Sequence, residues 1–360
     1  MLSVAGRVYG VIADLRNRLY ENETFRSRGL GAKTISVGNI TAGGTGKTPL
    51  VASIAQTLIE RGETVCILTR GYGRKDPRSR VVVADGEKVL AGAEKAGDEP
   101  AELAAKLGGK AVIIADPDRV SAGLWAKDEF GITVFILDDG FQHRRILRDL
   151  DIVCIDATDP FGGEKMLPTG RLREPQHNLA RADVAVITRV DLAGDMSKLT
   201  ARISTLNPDA RIFSAFNKIA NITELREFLA DSQRPQGSIA DNLVKHGDPA
   251  VAANDAKAEI RALAFCGLGN PKNFFNLLLS LDDPAVDLDL AVIKDFPDHH
   301  AYTQSDISEL EMMATAAGVS ILLTTAKDAV KLNGLKFALP CYVVEIEVCL
   351  NDDDAFRSLL

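Results

Sequence analysis

Short apolar runs separated by helical stretches fill the chain from Lys33 onward. Most of these runs are continuous rather than alternating, which is typical of strands that are buried on both faces of a parallel sheet. Strands are predicted at residues 34–37, 65–69, 112–115, 134–137, 152–155 and 184–188. Segments with helical periodicity, such as 50–61 and 100–107, lie between them. The pattern predicts an α/β fold with a doubly wound, mostly parallel sheet.

A different pattern opens the chain. Apolar residues recur there at steps of three and four, namely Ala5, Val8, Ile12, Leu15 and Leu19. This spacing predicts an amphipathic helix over about residues 1–20. The helix has two interpretations at this point: it docks on its own domain, or it lies on an anionic membrane surface, where basic flanks are expected.

A change of composition divides the rest of the chain. Residues 231–259 are rich in Pro, Gly, Ala, Asn and Asp and have no apolar period, so they are predicted to be a linker or a loop insertion. Residues 1–230 then form a larger domain. Residues 260–360 form a smaller α/β domain, with strands predicted at 260–266, 319–325 and 342–346 and a helix near 306–317.

Composition and charge exclude several classes of protein. The 360 residues are 46% hydrophobic and 26% charged, which is ordinary for a folded protein. A net charge of −8 argues against a general nucleic-acid binder. Five cysteines without a C-x-x-C pair indicate a reducing compartment, and no apolar run reaches the roughly 18 residues of a spanning helix. We therefore expect a cytosolic protein, although residues 1–33 carry six basic and only three acidic residues.

A glycine-rich turn follows the first predicted strand and precedes a helix, which is the context of a Walker A phosphate loop. Its eight residues are Thr41, Ala42, Gly43, Gly44, Thr45, Gly46, Lys47 and Thr48. Thr41 stands where the pattern has glycine. Successive backbone amides and the helix N-terminus would hold an anion, Lys47 would reach the β- and γ-phosphates, and the Thr48 hydroxyl would ligate Mg²⁺.

A partner acid for the metal is predicted at the end of the strand at 134–137. Asp138 is interpreted as the Walker B residue, since Mg²⁺ needs a carboxylate opposite the loop. Asp139, Gln142 and His143 then lie over the same crevice, at the carboxyl ends of the strands.

Three classes of enzyme compete for this loop. A GTPase would read guanine with Asn/Thr-Lys-x-Asp, but residues 188–191 place Arg189 at the lysine position. A deviant-Walker ATPase would have lysine where Ala42 stands. A kinase needs a proton acceptor, and Asp98 and the Asp298-His299-His300 segment are candidates. The sequence does not place these two segments side by side, and taken alone it favours a helix N-cap for Asp98 and ordinary loop histidines over a catalytic pair.

Taken together, the motifs closely resemble those of the tetraacyldisaccharide 4′-kinase family of the lipid A pathway. They occur in the family's order, from the first helix to nearly the end of the chain. They lie at residues 37–39, 41–48, 69–73, 97–100, 137–143, 167–175, 296–302 and 324–331.

The resemblance implies transfer of the γ-phosphoryl group of ATP, with Mg²⁺, to the 4′-hydroxyl of a tetraacylated glucosamine disaccharide 1-phosphate, which forms lipid IVA. It also implies a peripheral protein at the cytoplasmic face of the bacterial inner membrane, and it makes the interfacial interpretation of the first helix the leading one. The partners are then the acylated lipid and an anionic membrane surface, without nucleic acid or an obligate protein partner. The alternative is a P-loop ATPase or GTPase that acts as a nucleotide-dependent switch.

The resemblance further implies roles for single residues. Asp98 is the expected general base, and His299 tunes or orients it. Lys47, Thr48, Asp138 and Asp139 take the phosphate and metal roles. The expected polar lining around the disaccharide consists of Arg70, Tyr72, Arg119, His143, Arg171 and Glu174.

Overall fold

A computed structural model of the chain describes residues 2–230, 243 and 257–360. Within these residues the strands are β1 (Lys33–Gly38), β2 (Val65–Thr69), β3 (Val81–Asp85), β4 (Val112–Ala115), β5 (Val134–Asp138), β6 (Leu150–Asp156), β7 (Val184–Thr188), β8 (Arg211–Glu224), β9 (Ala258–Cys266), β10 (Val286–Asp295), β11 (Ile321–Thr325) and β12 (Cys341–Leu350).

The α-helices in the same residues are α1 (Leu2–Glu21), α2 (Lys47–Glu60), α3 (Ala93–Ala96), α4 (Asp98–Lys106), α5 (Arg119–Phe130), α6 (Ser197–Leu206), α7 (Leu225–Ala230), α8 (Pro271–Leu279), α9 (Gln304–Ala316), α10 (Ala326–Ala329) and α11 (Asp353–Arg357). Short 3₁₀ turns occur at Gly162–Glu164, Gln176–Arg181 and Val190–Leu192.

One sheet contains all of these strands, in the order β10-β9-β11-β12-β8-β7-β6-β1-β5-β2-β4-β3. Neighbouring strands are parallel except for β3 with β4 and β8 with β12. Side chains of β5 alternate between two cores: Val134 and Ile136 pack with α2, whereas Phe135 and Leu137 pack with α5 on the other face. The continuous apolar runs therefore reflect burial on both faces, and the predicted α/β fold with a mostly parallel sheet is confirmed.

The long strand β8 joins the two parts of the chain. Its first residues pair with β7 in parallel, and residues 215–224 pair with β12 in an antiparallel ladder. The division into domains at 1–230 and 260–360 remains a prediction, because the sheet is continuous across it. The predicted linker at 231–259 lies outside the described residues except for Leu243 and residues 257–259, and β9 begins at Ala258, two residues before the predicted strand.

The end of the chain returns to the first part. Phe356 of α11 is buried in the core that contains Ile35 of β1, and its ring packs edge-on against Phe213, with 5.4 Å between centroids. Lys33 Nζ donates a hydrogen bond to the carbonyl of Leu360 at 2.6 Å. The C-terminal helix thus fastens β12 to the layer beside β1.

The amphipathic helix at the start of the chain is confirmed as α1. It contacts the domain through polar side chains: the Asn17 amide donates to Glu174 Oε2 at 3.0 Å, and Asn178 donates to Asp14 at 3.1 Å. Its apolar residues Ile12 and Leu15 are instead 60% and 56% exposed. The apolar side of α1 is therefore the side that the domain leaves open. Among the described residues, no helix combines the length and hydrophobicity that a bilayer crossing requires.

Candidate active site

A cleft of about 920 Å³ lies between the two parts of the sheet. One wall contains the turn after β1, the loop after β2 and the turn after β5, together with the side of α1 near Arg16. The opposite wall contains residues 268–270 after β9, the His299 loop and the start of α10. The strands within each wall are parallel to one another, and the antiparallel β8–β12 ladder turns the two sets in opposite directions. Their carboxyl ends therefore face each other across one crevice, and the carboxyl ends of strands are where open α/β sheets bind ligands.

The predicted phosphate loop lies in the first wall, at the base of the cleft. The left-handed backbone at Gly46, with φ of 78°, lets the chain turn directly into α2, whose first residue is Lys47. Asn39 Nδ2 donates to Thr45 Oγ1 at 2.9 Å, and Thr188 Oγ1 donates to the Thr45 carbonyl at 2.9 Å. Residues 188–191, which resemble a guanine-recognition motif, therefore brace the phosphate loop through Thr188.

Arg171 lies against this loop rather than deep in the cleft. Its Nε donates to the Ala42 carbonyl at 2.8 Å, and its own carbonyl accepts from the Ala42 amide at 2.6 Å. Its guanidinium also pairs with Asp159 at 2.9 Å. The contacts of Arg171 thus hold the phosphate loop from outside.

The two acids at the end of β5 have different surroundings. Burial, with the nearby charges of Glu99 and Asp139, raises the pKa of Asp138 to about 7. Burial would also raise the pKa of Asp139, but Lys47 at 3.5 Å and Arg173 at 2.7 Å outweigh it and hold that pKa at about 2. Asp139 is a paired carboxylate, whereas Asp138 is a buried acid short of positive charge.

The residues fit the predicted magnesium ion. Asp138 Oδ2 is buried without a hydrogen-bond partner, and the acidic surroundings of that carboxylate favour a cation. Thr48 lines the same cleft. The described residues form no cluster of three or more His, Cys, Asp or Glu side chains for a metal. A carboxylate and a hydroxyl are oxygen donors of the kind that Mg²⁺ prefers, since it keeps several waters and binds substrate phosphates. Asp139 remains a predicted ligand, although Arg173 and Lys47 engage it here.

Arg119 and His143 border the same corner of the cleft. Arg119 is buried, and its Nη1 donates to the carbonyls of Asp138 and Asp139 at 2.9 and 3.2 Å, so it braces the turn that carries both acids. Burial, reinforced by Arg119 and other arginines, lowers the pKa of His143 to about 3. His143 is therefore a neutral imidazole at neutral pH, able to hydrogen-bond a ligand without charge.

Glu174 is the centre of a polar network between α1 and the cleft. It accepts hydrogen bonds from Asn17, from Arg181 at 2.8 Å and from Gln142 Nε2 at 2.7 Å. Gln142 Nε2 also donates to the Asn39 carbonyl at 2.8 Å, next to the phosphate loop. Glu174 lines the cleft and also fixes the position of α1 relative to it.

Asp98 and His299 are brought together from segments 201 residues apart. His299 Nδ1 lies 2.9 Å from Asp98 Oδ2. Gly97, with φ of 94°, begins α4 at Asp98, and His299 itself adopts a left-handed backbone with φ of 60°. This juxtaposition is the one that the sequence could not establish. The neighbouring His300 faces elsewhere: it stacks on Phe296 and lies 3.3 Å from Asp306.

Arg70 and Tyr72 lie on the loop after β2, at the mouth of the cleft. Tyr72 is 69% exposed, and its ring centroid is 5.7 Å from that of His299. Arg70 also lines the cleft. Both are therefore within reach of a ligand that lies beside the Asp98–His299 pair.

The cleft lining includes residues that were not predicted as site residues, among them Arg173, Arg189 and Lys327. Arg173 pairs with Asp139, Arg189 pairs with Asp156, and Lys327 lies 3.0 Å from Asp298 and 3.5 Å from His299 Nε2. A sequence signal existed for each. Arg189 directly follows the buried strand β7, and Lys327 comes two residues after the end of the buried strand β11. Arg173 lies in the motif at 167–175.

Comparisons with known proteins agree with this arrangement. A family model described as tetraacyldisaccharide-1-P 4′-kinase matches residues 1–360. A tetraacyldisaccharide 4′-kinase of Geobacter metallireducens is 36% identical over 361 residues, covering 100% of this chain and 96% of that protein. One of Syntrophus aciditrophicus is 35% identical, covering 100% and 91%. A crystal structure of LpxK from Aquifex aeolicus in complex with ATP matches with a TM-score of 0.73 and 28% identity, covering 100% of this chain and 98% of that one.

Proposed function

The chain belongs to the tetraacyldisaccharide-1-P 4′-kinase family, an ATP-dependent kinase family of lipid A biosynthesis, and we propose that it performs the family's reaction in the cleft described above. The γ-phosphoryl group of ATP is transferred to the 4′-hydroxyl of a tetraacyldisaccharide 1-phosphate. The observation that supports these site assignments best is the Asp98–His299 hydrogen bond, because it places a proton acceptor beside the cleft that contains the phosphate loop.

The residues divide the work between the two walls. The amides of residues 43–48 and the Lys47 ammonium bind the β- and γ-phosphates, and Lys47 neutralises charge as the phosphoryl group moves. Asp138 and Thr48 would hold Mg²⁺, which would supply positive charge for the phosphates. Arg119 and Asp139 keep this wall in place through the turn after β5.

Asp98 accepts the proton of the 4′-hydroxyl as the hydroxyl oxygen attacks phosphorus. His299 donates its Nδ1 proton to Asp98 Oδ2, which orients the carboxylate and leaves Oδ1 for the substrate. Lys327 lies 3.5 Å from His299 Nε2 and is purely a donor, so it favours the tautomer that carries the proton on Nδ1.

The lipid reaches the cleft from a membrane surface. Val11, Ile12 and Leu15 are each more than half exposed on α1, and Arg16 and Arg18 provide positive charge beside them. Ile12 and Arg16 also line the cleft, so the disaccharide enters while its acyl chains stay in the bilayer. This arrangement supports a peripheral protein, and we propose that it acts on the cytoplasmic face of the bacterial inner membrane.

The reaction is tested by incubating the full chain with γ-labelled ATP and the lipid disaccharide in detergent micelles. We expect label on the lipid; label released only as inorganic phosphate would favour the nucleotide switch instead. Asp98→Asn should lower kcat roughly 10²- to 10⁴-fold with an unchanged Kd for ATP, since it removes the proton acceptor and leaves the phosphate loop intact. The exposed Asp128→Asn is the matched control, and a wild-type kcat for Asp98→Asn would remove Asp98 from the base role.

Membrane binding is tested separately with the double variant Ile12→Asp/Leu15→Asp. It should lose most of its binding to vesicles that contain anionic lipid, because the inserted charges cannot enter the interface. Leu279→Asp, which changes an equally exposed leucine on α8, should bind like the wild type. Retained binding of the double variant would contradict the role of α1.

A further inference from the structure

Two buried charges lie behind Asp98 and have no part in the roles given so far. Asp328 of α10 has a fully buried side chain, and that of Lys331 is 8% exposed. Both belong to the motif at 324–331. Removing two charges from water costs several kcal/mol per ion and is offset only by close partners. Their placement at the active site therefore calls for an explanation beyond packing.

Asp328 is fixed on one side by the ends of two strands. Its Oδ2 accepts hydrogen bonds from the Gly267 amide at 3.0 Å, just after β9, and from Thr325 Oγ1 at 2.8 Å, the last residue of β11. Its Oδ1 lies 2.9 Å from Lys331 Nζ. Asp328 is thus an anchored carboxylate that holds the ammonium of Lys331.

Lys331 reaches the catalytic pair from this anchor. Its Nζ is 3.7 Å from Asp98 Oδ2, the same oxygen that His299 Nδ1 contacts, and 5.4 Å from the centroid of the Tyr302 ring. Among the described residues, the ammonium makes no contact with the geometry of a hydrogen bond. Electrostatic attraction to the two carboxylates and to the ring holds it in place. One oxygen of Asp98 is therefore engaged by two groups of the opposite wall.

We propose that Lys331, anchored by Asp328, is a positioning residue for the proposed base: it holds Asp98 Oδ2 so that Oδ1 points to the acceptor hydroxyl. The inference rests on the base role proposed above for Asp98. It also makes catalysis depend on contact between the two walls, since α4 supplies Asp98 and the segment that begins with α10 supplies the cation.

The contact between Lys331 and Asp98 gives this proposal a kinetic signature. Lys331 Nζ lies beside Asp98 Oδ2 on the side of the cleft that carries the proposed base. Loss of Lys331 should therefore lower kcat and leave the KM for ATP nearly unchanged. A purely structural role would lower stability without separating kcat from KM in this way.

The experiment compares steady-state kinetics of variants of the full chain with the lipid acceptor. Lys331→Met alone would leave the buried Asp328 carboxylate without its cation, so the test variant is the double change Asp328→Asn/Lys331→Met, which removes both buried charges. We expect kcat to fall about 10- to 100-fold, with the KM for ATP changed less than about twofold. Lys331→Arg keeps the charge and should recover most of the wild-type kcat.

Two controls make the outcome decisive. Lys336→Met removes an exposed lysine of the same segment and should match the wild type in both kcat and KM. A double variant that folds, as judged by circular dichroism, and keeps the wild-type kcat overturns the positioning role. Asp98→Asn measured alongside separates the two proposals. Wild-type turnover of Asp98→Asn means that the base assignment fails, whereas its inactivity together with a wild-type kcat in the double variant means that only the role of Lys331 fails.

Discussion

The phosphate loop and the Asp98–His299 pair face one cleft but are built in different ways. The loop is eight consecutive residues between β1 and α2, and the contacts that brace it come from Asn39, Thr188 and Arg171, all in the first part of the chain. The pair joins residues 201 positions apart, one on each wall. A local motif brings its own geometry, whereas the pair exists only when the sheet is continuous from β4 to β9.

This difference predicts which substitutions affect one region alone and which affect both. Changes in the phosphate loop should act through the nucleotide alone. Changes in the elements that join the two parts should act on stability and on the pair together, since the β8–β12 ladder and α11 hold the walls in register.

The largest expected effect is on the local side. Lys47→Met removes the ammonium that lies at the N-terminus of α2 and pairs with Asp139, so kcat should fall by at least roughly 10³-fold. The measurement is steady-state kinetics with the lipid acceptor in detergent micelles. Lys75→Met, at a side chain 80% exposed, is the control and should match the wild type. A loss smaller than about tenfold would show that the backbone amides suffice.

The next effect concerns α11, which joins the two parts of the chain. Phe356→Ala leaves a cavity in the core that contains Ile35 of β1 and Phe213 of β8. The variant should lower the free energy of unfolding by about 3 to 5 kcal/mol, measured by urea denaturation. The control Leu279→Ala changes an exposed side chain and should cost no more than about 0.5 kcal/mol. A cost below about 1 kcal/mol for Phe356→Ala would mean that α11 does not fasten the two parts together.

The smallest effect concerns pH and stability. Burial lowers the pKa of His143 to about 3 in the native chain, whereas the ordinary pKa of histidine is near 6.5. Below pH 6.5 the unfolded chain therefore binds a proton at His143 that the native chain does not bind. The stability is therefore complete above that value and is lost as the pH falls toward 3. Between pH 7 and 5.5 the wild type should lose about 1 kcal/mol more unfolding free energy than His143→Gln.

Equal losses in the two proteins would contradict the neutral, buried state of His143.

Sequence patterns predicted the strands that are buried on both faces and missed those that are not. The six strands predicted first are all present, because an uninterrupted apolar run has few alternatives in a parallel sheet. β3, β8 and β10 were not predicted. β3 and β10 are the two edge strands, and β8 mixes exposed and buried positions along its length. Their pairing is decided by neighbours that are distant in sequence.

The site shows the same boundary. The motifs pointed to residues that do meet at one cleft, but the tasks of some side chains depend on contacts that no motif encodes. Arg171 braces the phosphate loop from outside, Glu174 connects α1 to the cleft, and Arg119 braces the turn after β5. Lys331 was part of a motif without any role until its distance to Asp98 was known.

By itself, the sequence determined the α/β class, the glycine-rich turn between β1 and α2, the two acids at the end of β5 and an amphipathic first helix. Each of these is written in consecutive residues, where periodicity and turn chemistry act locally. The tertiary structure alone decided that α1 docks by its polar side and leaves its apolar side open, and that Asp98, His299 and Lys331 form one cluster. Those outcomes depend on how one sheet turns the carboxyl ends of two sets of distant strands toward each other, which long-range packing sets and local sequence does not.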